Sequence, residues 1–270
     1  MATELLKALS LSFAALFFVF QIRHFMNAGD MFARDLSLDE LSLQVLTGLC
    51  FTLGASIIRP GHETEPTPYS KILPTLGMVV SLVTLMILLF GVCFALNPLL
   101  NEDIIVSGGY LLNSLTLAYL IPSVVLALAA HLCGPDRPKP YVMLLGGLSL
   151  FSLLIYLTAQ IRLFFVGEIM ALPGNPPVGW ELYAISLAWL GLSILLLTAG
   201  MKTHRKDIRI ASACVLLLAV FKAFFIDMAG LEGVLRALAF VVLGIVLIVI
   251  GLVYQRLLFT PRASDPSTVS

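Results

Sequence analysis

The chain has 270 residues, of which 59% are hydrophobic and 12% charged, and its 16 basic and 16 acidic side chains cancel to a net charge of zero. Soluble domains carry about 25% charged residues, so a chain with a mean hydropathy of +1.01 has too little polar surface to face water. Composition excludes a soluble globular protein, and the charge balance points to no nucleic-acid partner.

A helix that crosses the hydrocarbon core of a bilayer, about 30 Å thick, needs about 20 mostly apolar residues. Such runs are predicted over Leu5–Gln21, Leu41–Ile58, Ile72–Leu96, Ser107–Leu132, Tyr141–Phe164, Leu182–Met201, Ile208–Ile226 and Val234–Phe259. They are too long, and too uniformly apolar, for the alternating strands of an outer-membrane barrel. Backbone groups in hydrocarbon must be satisfied within the chain, which leaves helices. The expected fold is an all-α integral membrane protein with eight transmembrane helices.

Lys7 ahead of the first apolar stretch fits a signal peptide, but no small-x-small cleavage site follows Phe20, and the run is read as a retained span. Runs two and three are joined by a proline-rich turn, Arg59–Ser70. Asn97, Asn101 and Asn113 flank one end of runs three and four; Tyr119 and Pro122 fall in the middle of run four, where the missing N–H of proline predicts a kink. A second proline-rich turn, Gly134–Pro140, leads to run five, and the segment Ala171–Gly179 after it cannot be helical. Gly146-Gly147, and Gly244 with Gly251, are expected to let helices pack closely. The four cysteines, Cys50, Cys93, Cys133 and Cys214, read as small buried hydrophobes. The polar tail, residues 260–270, is expected to be disordered.

With eight spans, both termini share one face. That face carries eleven basic residues, concentrated in Lys202–Arg209 and the proline-rich turns, against five on the other: Arg23, Arg34, Arg162, Lys222 and Arg236. Positive charge stays inside, so the termini are expected in the cytoplasm of a bacterial cell, with the protein in its inner membrane.

The chain also looks written twice. Gln21-Ile22-Arg23 recurs as Gln160-Ile161-Arg162, 139 residues on, each at the end of an apolar run. Each copy is followed by a Gly-acid pair, Gly29-Asp30 and Gly167-Glu168, then a loop, then Glu40-Leu41 and Glu181-Leu182 at the next helix. This order predicts two four-helix repeats, residues 1–138 and 139–259. An even number of spans per repeat makes them parallel, related by an axis along the membrane normal.

The last two runs carry Lys222-Ala-Phe224-Phe-Ile-Asp227, then Arg236, Phe240, Gly244, Gly251 and Tyr254-Gln255-Arg256. This resembles the closing signature of the bacterial multi-pass membrane family known as domain of unknown function 2339. Asn97-Pro98, Gly108-Gly109, Asn113 and Ala118-Tyr119-Leu120-Ile121-Pro122 are similar to another segment of that family, as is Tyr183-x-x-Ser186-Leu-Ala-Trp189. Members are often longer, with more spans and a coiled-coil start, so an eight-span chain is a minimal member or a relative. The family has no established activity, and the resemblance implies fold and not function.

Function is sought among the polar groups that sit at membrane depth, where ionised side chains are costly and usually paired. Gln21, Arg23, Gln160 and Arg162 lie at equivalent ends of duplicated helices, and Lys222, Asp227 and Arg236 surround the last turn. One reading makes them an outward-facing cationic pocket that binds, moves or presents an anionic lipid or envelope precursor, since arginine's planar fork suits phosphate or carboxylate. The other makes the protein a non-catalytic subunit that assembles with envelope membrane proteins, its charges holding the bundle and Lys222–Asp227–Arg236 pinning a turn. No Ser-His-Asp set, metal-ligand cluster or carboxylate pair stands out, and the one visible base is His24 with Asp30 or Asp35, so the reading leans away from an enzyme without excluding one, and no cofactor is expected. The expected partners are the lipid bilayer and, by either reading, an anionic lipid or other membrane proteins.

Overall fold

A computed structural model describes residues 2–57, 72–133, 137–177 and 179–227, together with residues 241, 244, 245, 248, 251 and 252. All regular structure among them is helical apart from a single β-bridge, Gly108 to Asn113. The helices are α1 (Ala2–Met26), α2 (Leu38–Ile57), α3 (Ile72–Met86), α4 (Ile121–Leu132), α5 (Lys139–Val166), α6 (Trp180–Lys202) and α7 (Lys206–Lys222). Among the described residues, four stretches are long and apolar enough to cross a membrane: Thr75–Ala95, Lys139–Val166, Trp180–Lys202 and Lys206–Ile226; Ser12–Met26 and Thr116–Leu132 are shorter apolar helices. Most of the eighth predicted run and the 260–270 tail lie outside the described residues.

The helices cluster into two compact units, Met1–Pro177 and Val178–Ser270. Packing thus divides the chain one helix later than the repeat boundary read from the sequence, and α5 belongs by its contacts with the first four helices. The core of the first unit is built from Leu49, Leu88, Leu115, Tyr119, Leu126 and Leu145, all fully buried. Hydrocarbon supplies no hydrophobic force between helices, so small residues and interhelical hydrogen bonds hold them. The close approaches fall at glycines other than those expected. A Cβ at Gly48 would stand 2.3 Å from Thr84 Oγ1, and one at Gly91 would stand 2.8 Å from Leu41 Cδ2. Gly146, Gly147, Gly244 and Gly251 meet no such neighbour among the described residues. Of the cysteines, Cys93 is buried as expected, but Cys50 and Cys214 are exposed.

Hydroxyls stitch the helices together. Ser81 Oγ and Tyr141 Oη are 2.7 Å apart, Ser149 Oγ donates to the Ser123 carbonyl at 2.8 Å, and Ser152 Oγ donates to the Tyr119 carbonyl at 2.9 Å. In the second unit Ser193 and Ser212 exchange bonds, each hydroxyl donating to the other's carbonyl at 3.2 and 2.9 Å.

Among the described residues, three π-helical segments interrupt the α-helices: Ile87–Ala95 after α3, Thr116–Leu120 before α4 and Ala223–Asp227 after α7. In place of a simple proline kink, the turn before Pro122 opens to π geometry, with the Ile121 N–H bonded to the Thr116 carbonyl. The wider turn disturbs the ladder of carbonyls, and side chains answer it. Tyr119 Oη donates to the Val92 carbonyl at 3.0 Å, and Asn97 Nδ2 donates to the Cys93 carbonyl at 2.9 Å.

The fourth predicted run starts late. Residues 104–113 are not helical, and helix begins at Ser114. Gly108 has φ +106, and a Cβ there would stand 2.6 Å from the Leu112 carbonyl oxygen, so the chain turns back on itself at a point only glycine allows. Asn113 then caps the helix, its Oδ1 accepting from the Thr116 N–H at 3.0 Å.

Candidate functional site

Arg23 sits in the last turn of α1. Beyond it the chain leaves the helix through Ala28 and Gly29, both with positive φ. The guanidinium reaches forward over this exit. Nε donates to the Met31 carbonyl at 2.8 Å, Nη2 donates to the Ala33 carbonyl, and Nη1 meets Glu40 Oε1 at 2.7 Å. Glu40 is 1% exposed. Its carboxylate also accepts from Asn27 Nδ2 at 3.0 Å and Gln44 Nε2 at 3.1 Å. Ser37 Oγ accepts the Glu40 N–H at 3.2 Å, which starts α2 as a helix N-cap does.

Arg162 repeats the device near the end of α5. The helix ends at Val166, and Gly167 follows with φ +94. Arg162 Nε donates to the Met170 carbonyl, eight residues on, as Arg23 Nε does to Met31. Nη2 donates to the carbonyls of Ala171, at 3.1 Å, and Asn175. Arg162 has no exposed surface at all. The loop it serves contains Pro173, Pro176 and Pro177. Prolines lack N–H donors, so such a loop is short of partners for its own carbonyls, and buried carbonyls must be bonded. The arginine supplies the missing donors.

The three connections at this end of the first unit are joined to one another. Val106 N–H donates to the Glu168 carbonyl at 3.3 Å, and Leu172 N–H donates to the Leu99 carbonyl at 2.8 Å. Ser107 Oγ donates to Asp39 Oδ2 at 2.9 Å. Gln160 donates from Nε2 to the Tyr110 carbonyl, and its Oε1 accepts from Asn113 Nδ2 at 3.2 Å. Residues 27–37, 97–113 and 167–177 therefore form a polar cap over the helix ends, with Arg23 and Arg162 as its two clamps.

The structure brings some of the predicted residues together and separates others. Gln160 and Arg162 serve the same cap. Gln21, which the sequence pattern pairs with Gln160, is exposed on α1. Lys222 belongs to the second unit, where its buried ammonium donates to the Leu182 carbonyl at 3.1 Å and to Ser186 Oγ at 2.8 Å. The Asp227 side chain and Arg236 lie outside the described residues. Glu40, Asn27 and Asn113 escaped the sequence reading as site residues. Ser37-x-x-Glu40 ahead of an apolar run is a capping-box signature that would have drawn attention to Glu40. The Met31 and Met170 carbonyls carry no residue signal.

Comparison with curated proteins and with solved structures gives no significant match. A polytopic helical bundle with apolar faces, a polar cap and the Lys222 signature is instead placed by a family model: residues 1–257 match the family described as predicted membrane protein (DUF2339), and the chain belongs to that family of membrane proteins.

Proposed function

We propose that the protein is a non-catalytic subunit of an envelope membrane complex, a helical scaffold in the bacterial inner membrane. The observation that carries this reading is the state of Arg162, which is fully buried with its donors committed to the Met170, Ala171 and Asn175 carbonyls. A cation that receives an anionic ligand keeps its donors turned toward the place the ligand enters. Lys222, held by Leu182 and Ser186, supports the same view. The competing reading, an anionic lipid or precursor held by Gln21, Arg23, Gln160, Arg162, Lys222, Asp227 and Arg236, would require the arginines to release loop carbonyls that, among the described residues, have no other donor.

The finer architecture belongs to the same proposal: eight spans in two parallel four-helix repeats, with both termini cytoplasmic. The matched eight-residue reach of Arg23 and Arg162 supports the duplication.

Arg23→Gln combined with Arg162→Gln tests the functional reading. The variant should express poorly and melt early in detergent, and complementation of a deletion strain should fall in proportion to folded protein. Native mass spectrometry of the wild type after mild delipidation should show no retained anionic lipid that the variant loses. A variant that melts like the wild type yet fails to complement, or that specifically sheds a bound lipid, would overturn the scaffold in favour of a pocket.

A further inference from the structure

The turn from Gly108 to Asn113 carries the tripeptide Tyr110-Leu111-Leu112, whose members are 73%, 79% and 82% exposed. A turn tip in water is ordinarily polar, and its carbonyls are satisfied by solvent. This tip is apolar, and all three of its carbonyls are bonded within the protein. Tyr110 accepts from Gln160 Nε2 and Asn113 Nδ2, Leu111 from Thr116 Oγ1 at 2.7 Å, and Leu112 from the Gly109 N–H at 3.0 Å. Carbonyls bonded within the protein suit a level where water is scarce, since lipid offers them no donor in water's place.

Depth points the same way. Gln160, which anchors the turn, lies six residues before the end of α5 at Val166 and 21 after its start at Lys139. At 1.5 Å per residue, α5 is about 42 Å long and Gln160 stands about 31 Å along it. The hydrocarbon core is about 30 Å thick. If the core begins near the first apolar turn of α5, its far boundary falls at the level of Gln160 and of the turn it holds. Helical side chains lean toward the helix N-terminus, which sets the contact slightly deeper than the Gln160 backbone.

We infer that Tyr110-Leu111-Leu112 is an interfacial anchor, a finger that lays its side chains among the acyl chains of the lipid leaflet beside the polar cap. Tyrosine at its start fits the headgroup level, where amphipathic rings collect. The finger's remaining polar groups suit that level too. Among the described residues no acceptor reaches the N–H groups of Tyr110, Leu111 and Leu112. Phosphates and glycerol ester carbonyls of phospholipids are acceptors at that depth.

The test uses the full chain in native membranes. Benzoylphenylalanine placed at position 111 by amber suppression should, on irradiation, yield protein carrying the mass of a phospholipid. A cross-link to a second copy or to another protein in place of lipid would overturn the inference. A second measurement does not depend on that variant. Leu112→Trp in a Trp180→Phe, Trp189→Phe background, reconstituted in nanodiscs, should give blue-shifted emission. Lipids brominated near the glycerol end should quench it more strongly than aqueous iodide does. Red-shifted emission quenched mainly by iodide would place the turn in water and overturn the anchor.

Discussion

Glu40 shows how much one side chain can organise. It is the buried end of a pair whose other end, the Arg23 side chain, keeps 22% exposure. Removing one partner of a fully buried pair costs about 3–5 kcal/mol. Arg23's exposure lowers that, and Arg23→Met should cost about 2–3 kcal/mol by the same reasoning. Glu40→Leu should be comparably harmful, because it removes the counter-charge of the guanidinium, the acceptor of Gln44 and one of the acceptors of Asn27, which keeps the Arg23 carbonyl. The double variant Arg23→Met with Glu40→Leu should recover part of the sum in a detergent melting assay; strict additivity would show that the pair contributes nothing beyond its members. Lys222 offers a second cycle. Hydrogen bonds to charged groups contribute about 1.5–3 kcal/mol, so Lys222→Met and Ser186→Ala should be coupled by about 1–2 kcal/mol. Lys222 was visible in the sequence because a lysine in an apolar run needs a partner. Its partners there were not, since Ser186 lies 36 residues away on another helix and the Leu182 acceptor is a peptide carbonyl.

Among elements, the apolar runs of α3, α5, α6 and α7 were legible because span length is set by bilayer thickness. Their interruptions were not. Pro122 signalled a disturbed helix, but the response, a π turn over Thr116–Leu120, has no period of its own in so short a stretch. The late start of the fourth helix was readable in principle from Gly108-Gly109 and Asn113, and was hidden by the apolar Tyr110-Leu111-Leu112 between them. Where two interrupted helices face each other, Tyr119 bridges them through Val92. Tyr119→Phe keeps the ring and removes the donor, leaving a buried carbonyl unpaired at a cost of about 1–3 kcal/mol. The loss should appear as lowered melting temperature together with faster amide exchange around residues 92–97. Unchanged exchange there would mean that the π segment holds without the tyrosine.

For the molecule as a whole, the candidate site was half legible. Duplication drew attention to Arg23 and Arg162, and both prove central to the polar cap, but arginine in a sequence looks the same whether it faces a ligand or its own loop. The proposed orientation rests on the basic asymmetry and is open to direct measurement. In a background without native cysteines, Asn175→Cys should react with an impermeant reagent from outside and Thr203→Cys only after the membrane is opened. Both positions are exposed. Position 174 is the poorer probe, because a Cβ there would stand 2.4 Å from Glu102 Oε1. The reverse pattern of labelling would invert the topology.

The clamps have a bearing on how the chain is assembled. Arg162 finds its acceptors eight, nine and thirteen residues further along the chain, and Arg23 finds its own eight, ten and seventeen residues along. Short loops close quickly and at small entropic cost. Each guanidinium can therefore be hydrogen-bonded by its own downstream segment as that segment leaves the insertion machinery, before any distant helix has arrived. The most expensive charges in the first unit are settled by chain synthesised moments after them, while the apolar helices must still find one another by diffusion within the bilayer.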